Sequence, residues 1–240
     1  MKIAILADIH GNFEALKAVS DDMVRFAVDC VVCLGDNIGY GPEPDEVVTF
    51  IRKKGYESVL GNHEFALTDP RGRRWLNFQA AENNKRTAEL LSQENLQYST
   101  RLPSFLQYES GYFVHGFPRD SVFRYLQKQN DARVMQLFEE HDESIFFVGH
   151  SHELQLVFEE GGTVVRSELK KGRISLNSDK KYIVNCGSVG QPRDGNKNAK
   201  YVLWDSEAFE IEVRSVPYSV QKTVDKIKKR GFPDVYGLRL

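Results

Sequence analysis

Lys2-Ile3-Ala4-Ile5-Leu6-Ala7-Asp8-Ile9-His10 carries an apolar run that stops on a carboxylate and an imidazole two residues apart. The run reads as a short buried strand over residues 3–7, and the arrangement recurs downstream. Residues 30–34 form a second strand ahead of Gly35-Asp36, and residues 58–60 a third ahead of Gly61-Asn62-His63-Glu64. Helices are predicted between them over 13–26 and over 44–54, the latter opened by Pro44. Ligand sites of open α/β sheets form outside the carboxyl ends of the strands, so Asp8, Asp36 and Asn62 are expected to converge at one edge.

Beyond Glu64 the pattern changes. Residues 79–97 are polar and helical, and Pro103 closes that stretch. The second half favours strands, over 105–108, 111–115, 145–148, 154–158, 164–169, 174–176, 182–185, 201–204 and 210–213, with one helix over 131–140. Glu159-Glu160-Gly161-Gly162 reads as a hairpin turn that begins an antiparallel section. No repeat, low-complexity tract or linker interrupts the 240 residues, so one domain over 1–240 is expected, with a helical excursion at about 66–103.

A chain of this length buries roughly 70–75% of its unfolded surface and needs no disulfide to hold a core. Cys30 and Cys33 form a C-x-x-C, but inside an apolar run that reads as strand rather than redox motif; Cys186 is unpaired by count, which favours a reducing compartment. No apolar run approaches the ~20 residues of a membrane span, and Asp8 ends the first run too early for a signal peptide. A cytoplasmic location without membrane partners is therefore expected. The net charge of −2 gives no support for nucleic-acid binding, and Arg71, Arg73 and Arg74 read as a solvated loop. Nothing in the sequence fixes an oligomeric state.

Five of the six histidines, with two aspartates and an asparagine, fall in short segments: Asp8-x-His10, Asp36, Asn62-His63, His115 and His150-x-His152. They offer imidazole and oxygen ligands without a thiolate, which suits a hard or borderline divalent ion in a hydrolytic centre. One D-x-H alone would carry no weight, since tripeptides recur by chance; five segments in order do. His141, at the end of a polar helix, reads as solvated.

The ordered set Asp8-x-His10, Gly35-Asp36, Gly61-Asn62-His63-Glu64, His115 and Gly149-His150-x-His152 resembles the calcineurin-like metallophosphoesterase superfamily, with no ligand position missing. Residues 36–44 and 187–194 look like a branch of small prokaryotic phosphodiesterases and diadenosine tetraphosphatases. The resemblance implies a four-layer αββα sandwich of two mixed sheets flanked by helices, an α/β (α+β) fold. It also implies two divalent ions per chain, manganese first, with iron or zinc as alternatives. Asp8, His10, Asp36 and His152 would hold one ion, and Asp36, Asn62, His115 and His150 the other, so that Asp36 bridges.

Chemical reasons stand beside that assignment. If residues 8–10 and 150–152 are extended, Asp8 and His10 project together, as do His150 and His152. A carboxylate can bind two cations roughly 3.5–4 Å apart, the separation used for in-line phosphoryl displacement, and neutral Asn62 limits the anionic charge facing a phosphate. Metal binding lowers the pKa of water from about 15.7 to roughly 7, so a bridging hydroxide is the expected nucleophile. His63, not a ligand in the family scheme, is assigned as general acid or leaving-group stabiliser, and Glu64 as an orienting or capping group.

Arg119, four residues after His115, and Arg193 are the candidates for substrate binding, each able instead to pair with Asp120 or Asp194. Gly187, Gly190 and Gly195 suit tight turns. Two departures from the branch pattern, Asn185-Cys186-Gly187-Ser188 and the Glu153-Leu154 that follows His152, argue against borrowing a relative's substrate. The expected activity is metal-dependent hydrolysis of a phosphodiester or a nucleotide pyrophosphate link in a small phosphorylated substrate. A phosphomonoesterase or protein phosphatase, and a non-catalytic interaction scaffold of the same fold, are the alternatives.

Overall fold

Twelve strands and nine α-helices make up the described part of the computed structural model, which covers every residue except Asp120. β1 (Lys2–Leu6), α1 (Phe13–Met23), β2 (Cys30–Cys33), α2 (Pro44–Lys54) and β3 (Glu57–Ser58) alternate, as the opening pattern requires. Four helices follow: α3 (Asn62–Thr68), α4 (Pro70–Trp75), α5 (Phe78–Leu90) and α6 (Gln93–Ser99). Next come β4 (Phe105–Tyr108), β5 (Gly111–Val114), α7 (Asp131–Glu140), β6 (Ile145–Val148), β7 (Leu154–Glu160), β8 (Thr163–Glu168), β9 (Gly172–Ser175) and β10 (Tyr182–Cys186). β11 (Ala199–Asp205), β12 (Glu210–Val216), α8 (Val220–Lys229) and α9 (Asp234–Leu238) complete the chain.

The strands form two mixed six-stranded sheets, ordered β3-β2-β1-β11-β12-β9 and β4-β5-β6-β10-β7-β8. Side-chain alternation explains the layering. Ile3 and Ile5 of β1 face the second sheet and meet Phe113, Ile145, Phe147 and Trp204, whereas Ala4 and Leu6 face outward onto Leu16 and Val19 of α1 and Val47 and Ile51 of α2. On the far side, Phe146 and Val148 of β6 pack under Val134, Leu137 and Phe138 of α7. This is the αββα arrangement the family resemblance implies.

Several local expectations need correction. Helix formation begins at Asn62 and includes α4, where Arg71 pairs with Asp69 and Arg73 caps the carbonyls of Ala66 and Leu67, so the basic cluster is not a plain loop. His141 is packed against Tyr112 and Phe146 and contacts Arg119 and Glu143. The helix expected to reach residue 26 ends at Met23, and α8 and α9 were not anticipated. The Glu159–Gly162 turn holds as read, with Gly161 and Gly162 both at positive φ.

Trp204 sits fully buried between Phe113 and Phe147, at the centre of the inter-sheet layer. Trp204→Ala should lower stability by about 3–5 kcal/mol, read from the urea midpoint by far-UV circular dichroism. A cost under about 1 kcal/mol would mean that this ring does not tie the sheets together.

Candidate metal centre

Each polar motif lies just beyond a strand: Asp8 after β1, Asp36 after β2, Asn62 after β3, His115 after β5 and His150 after β6, so both sheets deliver residues to one end of the sandwich. The local geometry differs from the extended segments expected from sequence. Asp8, His10, Asp36, His150 and His152 all have positive φ, between 49° and 69°. These side chains are therefore aimed by left-handed turns rather than by strand alternation, and His150 and His152 diverge. His150 Nδ1 faces His115 Nε2 at 3.0 Å, and His152 Nε2 faces His10 Nε2 at 3.1 Å.

Backbone carbonyls define the protonation of three rings. His10 Nδ1 donates to Ile38 O at 3.0 Å, His115 Nδ1 to Leu34 O at 2.8 Å and His152 Nδ1 to Gln191 O at 2.6 Å. The Nε2 of His10 and of His152 then points its lone pair inward, and that of His115 does so once its proton is lost, the orientation of a metal-ligating imidazole. Asp8 Oδ1 lies 3.5 Å from His152 Nε2 and 3.8 Å from His10 Nε2. On the other side, His115 Nε2 is 3.0 Å from Asn62 Oδ1 and 3.4 Å from Asp36 Oδ2. Asp36 Oδ2 also lies 3.9 Å from His10 Nε2, so one carboxylate oxygen borders both groups.

Lone pairs that converge on one another need a cation between them. Asp8 Oδ1 is buried with no hydrogen-bond partner among the described residues, as is His63 Nδ1, a cost that native interiors rarely leave unmet. Asp8, His10 and His152 form one set of donors close enough to share an ion, Asp36, His115 and His150 another, and His10, Asp36 and His63 a third that overlaps both. The residues present fit divalent metal, and all seven predicted ligands are brought together.

Electrostatics agree. Burial pushes His10, His63, His150 and His152 below the usual imidazole range, which keeps them neutral and free to ligate. Burial would raise the Asp36 carboxyl, but the imidazoles of His115, His63 and His10 hold it well below the carboxylate range. Asp8, with fewer compensating contacts, is pushed by burial up to about 7. Burial would lower His115 as well, yet the charge of Asp36 and its hydrogen bond outweigh that and raise the group to about 9.

His63 is buried at the inner wall of the centre, with its backbone N–H on Asp36 Oδ1 at 2.8 Å and its ring edge-on to His10 and Tyr40. Glu64 accepts from the N–H groups of Asp36, Asn37 and Gly61, the orienting role read from its position. Arg193 lines a cavity of about 460 Å³ with Tyr40, Gln191 and Arg239, and its backbone N–H meets His152 O. Arg119 is not brought there. It bonds His141, pairs with Glu140 and lines a different cavity with Phe65, Phe123 and Arg133; its alternative partner Asp120 lies outside the described residues.

Three residues escaped the sequence reading. Tyr125 stacks on His150 at 3.9 Å, Tyr40 covers His10 and His63, and Arg239 enters from the C-terminal segment. Tyr40 lies within residues 36–44, which were singled out as a block rather than residue by residue. The spacing Val220, Val224, Ile227 is the signal that could have revealed α8 and the segment carrying Arg239.

Fold and donor set together define a metal-dependent phosphoesterase, a hydrolase of phosphoester bonds. Residues 1–208 match the calcineurin-like phosphoesterase superfamily domain, and the chain belongs to that family. An uncharacterized protein of Methanocaldococcus jannaschii is 35% identical over 244 residues, covering 99% of this chain and 96% of the relative. The crystal structure of a metallophosphoesterase from Sphaerobacter thermophilus superimposes with a TM-score of 0.84 at 32% identity, covering 100% of this chain and 97% of that one. A hypothetical protein from Pyrococcus horikoshii shares the fold at a TM-score of 0.78 and 20% identity, over 99% of this chain and 96% of that one.

A proton on His115 Nε2 competes with metal, and the raised pKa means this proton is held below about 9. Apparent metal affinity should rise about tenfold per pH unit from about pH 7 to about 9 and level off above, with a steeper slope below about 7, where Asp8 also carries a proton. Calorimetry in buffers of different ionisation heat measures the protons released. A profile flat across this window would remove His115 from the ligand set.

Proposed function

We propose that the chain hydrolyses a phosphodiester, or the pyrophosphate link of a nucleotide, at a centre of two divalent ions, with manganese the first expectation. The observation that carries this is Asp36 Oδ2, which borders both donor sets, at 3.9 Å from His10 Nε2 and 3.4 Å from His115 Nε2. Asp8, His10 and His152 would hold one ion with Asp36; Asn62, His115 and His150 would hold the second with the same carboxylate. When bound, such a pair supplies Lewis acidity and a water of lowered pKa.

The protein's own residues set the rest. The fixed tautomers of His10, His115 and His152 keep lone pairs inward, and the neutral amide of Asn62 limits repulsion of an incoming phosphate. Tyr125 stacks on His150 and Tyr40 lies tilted against His10, and the two rings narrow access of bulk water to these imidazoles. His63 is neutral at physiological pH because burial lowers its pKa, and a neutral ring can still offer an N–H to the leaving oxygen. The neighbouring cavity of about 460 Å³ leaves room for the second ester group of a diester, which favours that class over a monoester.

Asp36→Asn should weaken both metals together, whereas His152→Ala should weaken chiefly one, as read by metal titration with elemental analysis. Two metals bound normally to the Asp36→Asn protein would end its role as bridge. His63→Ala should retain metal yet lose about 10²–10⁴-fold in rate on an alkyl diester with a poor leaving group, and far less on bis(p-nitrophenyl) phosphate. Equal losses on the two would show that His63 positions the phosphate rather than the leaving group.

A further inference from the structure

Residues 209–240 lie beyond the stretch matched to the family domain, yet they return to the metal centre. α8 and α9 close a small apolar cluster of Ile227, Phe232, Tyr236 and Leu240 against Tyr40 and Leu90. Tyr236 Oη donates to Gln79 O at 2.9 Å, and its ring lies 5.7 Å from that of Tyr40. Arg239 therefore sits between two buried anchors, Tyr236 and Leu240, while its own side chain is exposed at the cavity wall.

Arg193 reaches the same cavity from the loop after β10. Its obvious partner is already taken: Asp194 is held at 2.8 Å by Lys200, whose side chain is only 2% exposed. Among the described residues neither Arg193 nor Arg239 has an ion-pair partner, and no carboxylate lines this cavity. Two guanidinium groups thus share a concave wall next to the donor cluster, lined also by Tyr40, whose ring is 4.7 Å from that of His10, and by Gln191, whose carbonyl holds His152. The Tyr40 hydroxyl lies in the field of both: burial pushes it up to about 12 and Asp36 adds to this, while Arg193 and Arg239 oppose.

We propose that Arg193 and Arg239 form a clamp for a second phosphoryl group of the substrate, contiguous with the one that is cleaved. Like charges brought to one wall without a counterion are stabilised by an anion between them, and planar guanidinium donors match phosphate oxygens in pairs. The inference rests on the hydrolysis proposed above and adds a specificity element carried by the C-terminal segment. In the reaction read here, water oxygen bonds to the scissile phosphorus, the bond from phosphorus to the leaving oxygen breaks, the proton lost by the water passes to the leaving oxygen or, for an acidic leaving group, to solvent, and the clamped phosphoryl group is not altered.

The test compares the p-nitrophenyl esters of a nucleoside monophosphate and of the corresponding nucleoside diphosphate, which differ by one phosphoryl group, with products separated by chromatography so that release of p-nitrophenolate is counted together with cleavage of the pyrophosphate link to p-nitrophenyl phosphate. The metal-loaded wild-type protein should prefer the diphosphate ester. Arg239→Ala and Arg193→Ala should each reduce the ratio of kcat/KM between the two esters by about ten- to a hundredfold, mainly through KM. Arg239→Lys, which keeps the charge and loses the paired donors, should retain part of the preference, and circular dichroism should show all three variants folded. An unchanged ratio in both alanine variants, or no preference in the wild type, would overturn the clamp while leaving the hydrolysis standing. Failure of the wild type to hydrolyse either ester would overturn both.

Discussion

Glu64 ties together the two loops on which the centre depends. Its fully buried carboxylate accepts from the N–H groups of Asp36 and Asn37 after β2 and from Gly61 after β3, at 2.8–3.2 Å. The same two loops meet again where His63 N–H bonds Asp36 Oδ1. Shielded from water, the Glu64 bonds fix the backbone around Asp36, and the His63 N–H orients its carboxylate at the boundary of the two donor sets. Gly61 leaves no alternative, because a Cβ there would lie 2.2 Å from Asp36 N and 2.3 Å from its Oδ1.

Such positioning stores strain. Five ligands occupy the left-handed region, where a non-glycine residue costs of order 1–3 kcal/mol. The two sheets are what make this tolerable: β1, β2, β5 and β6 are buried strands whose ends cannot drift without opening the layer around Phe113, Phe147 and Trp204. Inward lone pairs on His10 and His152, 3.1 Å apart, add repulsion that a divalent ion converts into attraction.

Legibility in the sequence followed periodicity. Strands with strong apolar runs, such as residues 105–108 and 145–148, have the boundaries their composition predicts, and α2 starts at its proline and ends before Gly55. The convergence of the candidate donors was legible because each motif pairs a special residue with a strand end. How the ligands are aimed was not. Positive φ at Asp8 or His150 is imposed by tertiary contacts, for example His150 N–H on Asp8 Oδ2, a bond between residues 142 positions apart. The same limit hid Tyr125, whose stacking on His150 depends on the fold bringing two distant loops together.

Arg119 and Arg193 show how a local rule can misdirect. Arg119 follows His115 by four residues and Arg193 lies in the loop 187–194, and each has an acid next door, so sequence alone treats them alike. In the fold, Arg119 turns to Glu140 and His141 at the end of α7, a surface whose charges are already balanced. Arg193 is kept free because buried Lys200 takes Asp194, and a lysine so fully buried must hold its partner or lose its charge. Burial is what chiefly lowers the pKa of His10, His63 and His152, and the nearby Arg193 guanidinium adds to it in the same direction. The same residue that disfavours protons on the ligands therefore favours both a metal in their midst and an anion at its edge.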